Sequence, residues 1–199
     1  MKFLFICNHS GGTNAILPFI HKYSSTTNKS YIITSVLNQN LTKQKNSKVN
    51  IIKKKINLKK VRFYLERIKP DIIITGTSEI EDPKIGRLES KFIFTAKKMG
   101  IFTITILDFG TRFKERFSLN NRNLLDALPD KICVPYNNMK SRMINIGFDR
   151  KKIAVIGNPY LDSKYKSKGT KDSKNIKARY KRKISNRNII YYVSQPITD

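Results

Sequence analysis

Acidic residues are scarce in this chain, and cysteine is scarcer. Its 199 residues hold 14 Asp and Glu against 40 Lys and Arg, and only 2 cysteines. Two cysteines cannot build the disulfide framework of a small secreted domain. Cys7 and Cys133 both fall in predicted buried strands and read as small core hydrophobes. No His/Cys spacing suits a structural zinc ion, so no metal is expected. Long apolar runs are missing too, and none approaches the roughly 20 residues that span a bilayer. The apolar run at 3–7 is too short for a signal-peptide core and has no small-residue cleavage site behind it. These absences point to a cytoplasmic protein. There is no G-x-G-x-x-G turn, no P-loop lysine and no G-x-S-x-G elbow. No cofactor is expected.

Cations are present in excess, giving a net charge of +26. Such a balance attracts nucleic acid, anionic lipid or phosphorylated substrates. Lys, Asn and Ile are abundant together, as AT-rich coding produces, and that alone makes a basic surface without a specific partner. Apolar residues make up 39% and cluster into periodic blocks, which excludes general disorder.

Those blocks read as short, Ile-rich strands at 2–7, 31–36, 49–52, 71–75, 102–107, 131–134 and 153–156. Continuous apolar runs suit parallel strands buried on both faces. Helical spacing appears between them at 14–23, 58–68, 87–99 and 137–146, the last stopped by Gly147. Strands alternating with helices predict an α/β fold: a Rossmann-like parallel sheet with helices on both faces. Residues 1–162 form this domain. Residues 163–187 carry 11 Lys or Arg and a single acid, Asp172, and read as a basic linker or a loosely held helix. A nucleic-acid arm is the sharper alternative, but Tyr165 and Tyr180 are its only aromatic support. The apolar run at 188–193 reads as a fresh strand, either returning to the first sheet or opening a second domain. The long polar connection favours the second, with 188–199 as that domain's first strand.

Ligands in open α/β sheets bind at the carboxyl ends of the strands. His9, Ser10, Gly11, Gly12 and Thr13 follow the first strand. The two glycines let a ligand approach the backbone, and Thr13 or Asn14 can cap the next helix. The plain alternatives are a ligand-free tight turn and a His9 that only shapes it. Ser78 lies in the turn after the fourth strand, and Glu89 near the start of a helix, where the dipole favours a carboxylate whether or not it is functional. Its plain reading is a surface helix residue. Asp108 ends the fifth strand, with Arg112 and Arg116 behind it. Two arginines at that spacing can face one way and bind a phosphate, or form a surface ion pair with Asp108 or Glu115. Asn158 follows the last strand as a cleft-facing donor or a turn residue.

The segments "SGGTNAILPFI", "PDIIITGTS", "AKKMGIFTITILDFGTRFKERF", "DKICVPYNNMKSRMINIGFDRKKIAVIGNPYLD" and "IIYYVSQP" fall in an order that resembles GT-B-type nucleotide-sugar glycosyltransferases and their UDP-N-acetylglucosamine 2-epimerase-like relatives. The resemblance covers residues 1–162 and 189–196. It implies two doubly wound domains facing a cleft, of which this chain is the N-terminal, acceptor-side one. Its implied partners are a nucleotide sugar, a glycan or lipid-linked acceptor and a separate C-terminal domain, and the basic balance of the chain adds a peripheral membrane contact. By position, Gly11 and Gly12 match the donor-facing loop, Ser78, Asp108 and Arg112 line the acceptor side, and His9 or Asp108 is the candidate base. The nucleotide-binding half is expected to be missing, leaving a split, fragmentary or decayed enzyme that is inactive alone. A nucleotide-sugar 2-epimerase is the alternative, drawing on Glu79, Glu81, Glu89, Asp108 and Glu115. A non-enzymatic basic binding protein ranks last, and with no base-reading element in view nucleic acid is not an expected partner.

Overall fold

The computed structural model describes residues 1–24, 29–35, 47–78, 81–120 and 124–167. Seven strands, β1 (Lys2–Cys7), β2 (Lys29–Thr34), β3 (Ser47–Ile51), β4 (Ile72–Thr75), β5 (Phe102–Ile106), β6 (Lys131–Val134) and β7 (Ile153–Val155), pair in parallel throughout. Their order across the sheet is β3-β2-β1-β4-β5-β6-β7. The described helices are α1 (Ser10–Ser24), α2 (Leu58–Ile68), α3 (Leu88–Lys98), the single turn α4 (Phe113–Arg116), α5 (Asn137–Asn145) and α6 (Pro159–Ser167). The chain builds outward from β1 to β3, then returns through α2 to start β4 on the other side of β1. That reversal opens a crevice at the carboxyl ends of β1 and β4, where ligands bind in doubly wound sheets.

The unbroken apolar runs follow from having helices on both faces. Along β1, Phe3, Phe5 and Cys7 enter the core under α1, with Ile16 and Ile20. Leu4 and Ile6 enter the opposite core, with Val61 and Leu65 of α2 and Phe92 of α3. Each such side chain contributes about 1.5–3 kcal/mol when fully buried. A third cluster joins β6 and β7 to Met139 and Met143 of α5 and to Phe117.

All seven strands expected in the first domain are present, with ends shifted by at most two residues. Gly147 follows α5 with φ at +98°, the left-handed stop its type favours. α2 is capped by Asn57, whose Oδ1 accepts the Lys60 N–H at 2.9 Å, and closed by Lys69 in the left-handed region. One boundary needs correction. α1 begins at Ser10, not at Thr13 or Asn14. Thr13 sends both its N–H (2.9 Å) and its hydroxyl (2.8 Å) to the His9 carbonyl, so His9 supplies the first helical acceptor. Residues Met1–Ser163 make one compact unit. The expected linker at 163–187 begins inside α6, and its remainder lies outside the described residues, as does the expected strand at 188–193. Among the described residues no helix is long and apolar enough to cross a membrane.

Candidate functional site

β1 ends at Cys7 and delivers Asn8 into the crevice, where it is 2% exposed. Asn8 is the fastening point of this edge. Its N–H donates to Glu89 Oε1 at 2.8 Å, its Nδ2 donates to the Gly86 carbonyl at 3.3 Å, and its own carbonyl accepts the Ser35 hydroxyl at 2.8 Å. Two distant stretches, at Ser35 and at 86–89, are therefore tied to one residue. His9 follows, half-buried, with a ring nitrogen 3.5 Å from Asn8 Nδ2. With Ser10 it lines a cleft of about 520 Å³ that also takes in Ser35, Lys53, Asp82 and Lys84. The Asp82 carboxylate accepts the N–H groups of Ile85 and Lys84, which turns the loop beside the cleft and lowers the pKa of its carboxyl.

Because the first helical bond is from Thr13 N–H to His9, the N–H groups of Ser10, Gly11 and Gly12 precede the helical ladder at the electropositive end of α1. The two glycines then differ in role. Gly12 is buried against the turn after β4. A Cβ placed on Gly12 would lie 3.2 Å from Thr77 N, and one on Gly76 would lie 2.8 Å from Gly12 Cα. This pair is needed for backbone to pass backbone, so Gly12 faces the protein and is not open to a ligand. Gly11 is half-exposed, and a Cβ on it would collide with Asp108 Oδ2.

Asp108 comes from the end of β5 with its side chain 27% exposed. Its Oδ1 is buried, accepts no hydrogen bond among the described residues, and lies 3.5 Å from Arg116 Nη1. That separation is an ion pair, longer than the 2.7–2.9 Å of a charge-assisted hydrogen bond. Its Oδ2 reaches over Gly11. A carboxylate therefore already occupies the helix end that an anion would seek.

Two expectations for side chains on this edge are corrected. Glu89 is not a surface helix residue. It is 2% exposed beneath Asn8, and its Oε2 accepts the Ser78 hydroxyl at 2.9 Å. Burial raises its pKa above the ordinary glutamate value, and the bonds from Ser78 and Asn8 only moderate that shift. Ser78 is buried with it. Arg116 and Arg112 do not form one outward pair. Arg116 is 4% exposed and points inward, donating to the Thr111 carbonyl and to Thr77 Oγ1, both at 2.8 Å. Arg112 is exposed and starts α4 with φ at +47°. Asn158 takes the turn-residue reading, its Oδ1 accepting the Leu161 N–H at 3.1 Å to cap α6. β7 is four strand spacings from β1, about 19 Å at the usual interval, so Asn158 is not gathered with the rest.

His9, Ser10, Gly11 and Asp108 thus share the crevice edge, while Thr13, Ser78, Glu89 and Arg116 support it from below. Sequence reasoning placed Asn8 and Thr77 in the turns at this edge without singling either out, and it gave no role to Ser35 or Arg87, the last of which donates to the Glu115 carbonyl at 2.6 Å. An asparagine directly after a buried strand is the only local signal among them. Among the described residues no group of three His, Cys, Asp or Glu is placed to hold a metal ion.

No family model and no curated protein sequence matches the chain. Solved structures do. A UDP-GlcNAc 2-epimerase from Neisseria meningitidis bound to UDP-GlcNAc superposes with TM-score 0.55 at 18% identity, covering 90% of this chain and 54% of that one. A UDP-N-acetylglucosamine 2-epimerase from Rickettsia bellii gives 0.58 at 16% identity, covering 89% and 51%. The glycotransferase of kitacinnamycin gives 0.53 at 10% identity, covering 79% and 51%. At such identities the likeness shows the fold alone, a Rossmann-like α/β architecture. The chain spans about half the length of each of these structures.

Proposed function

We propose that this chain forms the acceptor-side lobe of a two-lobed enzyme that transfers a sugar from a nucleotide-sugar donor to a glycan or lipid-linked acceptor. The observation that carries the reading is the Asp108 carboxylate held over Gly11 at the start of α1, at the switch point of the sheet. With a carboxylate already there, a phosphate arriving at that end of α1 would meet like charge. A sugar hydroxyl would meet an acceptor for its proton. The edge therefore suits hydroxyls, and the diphosphate belongs to a second α/β lobe. Asp108 acts as the base toward the acceptor hydroxyl, with Arg116 fixing its position and His9 and Ser10 lining the sugar's approach. The lobe works in the cytoplasm at a membrane face and is inactive without its partner lobe.

A second reading, epimerisation at the sugar C2, is favoured by the superposition on two UDP-GlcNAc 2-epimerases. The test is a titration of the isotope-labelled chain with N-acetylglucosamine, which offers hydroxyls without a diphosphate, followed by amide shifts. Shifts should concentrate at 8–13 and 108–112, and their absence from both segments would end the proposal. In an assembled two-lobed enzyme, Asp108→Asn should lower turnover by about 10²–10⁴-fold. Deuterium entering at C2 from heavy water would identify the epimerase, and its exclusion the transferase.

A further inference from the structure

The face formed by α2 and α3 carries no part of the crevice. The two helices pack side by side over the core that contains Leu4 and Ile6. Their exposed positions include Lys59, Lys60, Arg62 and Arg67 on α2 and Lys97 and Lys98 on α3. The single exposed carboxylate among them, Glu66, is held by Arg62 at 2.8 Å. Among these cations two apolar side chains stand out of the surface, Phe63 at 47% and Leu58 at 38% exposure. A cleft of about 430 Å³ lies beside α2 toward β3, lined by Tyr31, Lys60, Phe63 and Arg67 among others. Another, of about 460 Å³, lies toward α3 between Leu58, Arg62, Phe94 and Lys98.

We propose that this face docks on an anionic lipid bilayer. The proposal rests on the membrane contact in the reading above and not on its sugar chemistry. Charge complementarity selects the occupant. A second copy of the chain would set six cations against six. A single-stranded nucleic acid would stack its bases on open ring faces. One face of each ring here is taken: Lys60 Nζ lies 4.6 Å from the Phe63 ring centre and 5.4 Å from that of Tyr64, and Lys98 Nζ lies 4.3 Å from that of Phe94. Rings bracketed by long cations suit a lipid surface. The ring and stems enter the headgroup layer while the charged ends meet phosphates.

The sequence contains no tryptophan, so Phe63→Trp in the full chain gives a single fluorescent reporter at an exposed position. With vesicles of phosphatidylcholine and phosphatidylglycerol in about 0.1 M salt, its emission should shift to the blue and be quenched by brominated lipid. The protein should leave the vesicles near 1 M salt, where screening acts over about 3 Å. Each cation near such a surface contributes about fivefold to binding, so Lys60→Glu with Arg67→Glu should weaken it by about a hundredfold or more. Lys98→Glu provides a second, separately folded check, with a loss of about tenfold. Equal binding to phosphatidylcholine alone, an unshifted emission on sedimenting vesicles, or full binding by the charge variants would overturn the proposal. So would protection of the reporter by self-association, or by RNA in place of lipid. Titration of the isotope-labelled Phe63→Trp protein with N-acetylglucosamine, followed by amide shifts at 8–13 and 108–112, reports the crevice separately, so failure of either reading is seen without the other.

Discussion

Removing the Glu89 side chain tests the crevice's foundation most directly. Glu89→Ala deletes the acceptor for two buried donors, the Asn8 N–H at 2.8 Å and the Ser78 hydroxyl at 2.9 Å. Each donor left without a partner costs about 1–3 kcal/mol, so the variant should lose about 2–6 kcal/mol. That is a large share of the 5–15 kcal/mol typical of a domain. Glu89→Gln keeps an oxygen for Asn8 and can donate its amide to Ser78, so it should be far milder. The pH dependence separates the two effects. Burial raises the carboxyl's pKa in the folded chain above the ordinary value of 4.5. The folded state then binds the proton more tightly than the unfolded state. Its stabilising share is full below about pH 4.5 and is lost as pH rises through the raised folded value. Gln cannot ionise. Glu89→Gln should therefore gain on the wild type in urea unfolding as pH rises above about 4.5. An Ala variant within about 0.5 kcal/mol of the wild type, or a Gln-to-wild-type gap that stays flat with pH, would refute the reasoning.

Gly76→Ala should lower urea stability by about 1–3 kcal/mol, because its Cβ would lie 2.8 Å from Gly12 Cα and neither backbone can retreat. Lys69→Gly should raise it by about 0.5–1 kcal/mol by relieving a left-handed residue with φ at 49° after α2, seen as a higher thermal midpoint. Burial pushes the Cys7 thiol up to about 11 and raises that of Cys133 as well. At pH 8 neither should react readily with a disulfide reagent until urea unfolds the chain, and rapid labelling of native Cys7 would contradict the packing around β1.

How far the sequence reached can be traced through particular residues. The run 2–7 announced a strand buried on both faces, and Phe3 and Phe5 do pack against one helical layer while Leu4 and Ile6 pack against the other. Gly147 marked the end of α5 correctly. The turn at 9–13 and Asp108 were both expected at the carboxyl ends of parallel strands, and they follow β1 and β5 there. Glu89 was misread because its local surroundings are those of any acid in a first helical turn. Its burial depends on Asn8, 81 residues earlier in the chain. Arg116 was misread likewise, since Thr77, 39 residues away, draws it inward.

The division has a physical cause. Strand and helix periods, glycine stops and asparagine caps act over a few residues, so the sequence by itself determined an alternating parallel α/β chain and the edge where its turns collect. Which side chains sink below that edge and which remain on it depends on β1 and β4 lying side by side, a pairing made across some 70 residues. Only the tertiary structure could decide that Gly12 serves the backbone of Gly76, that Glu89 holds Asn8, and that Asp108 stands over Gly11, because each of these contacts exists only once the sheet has closed.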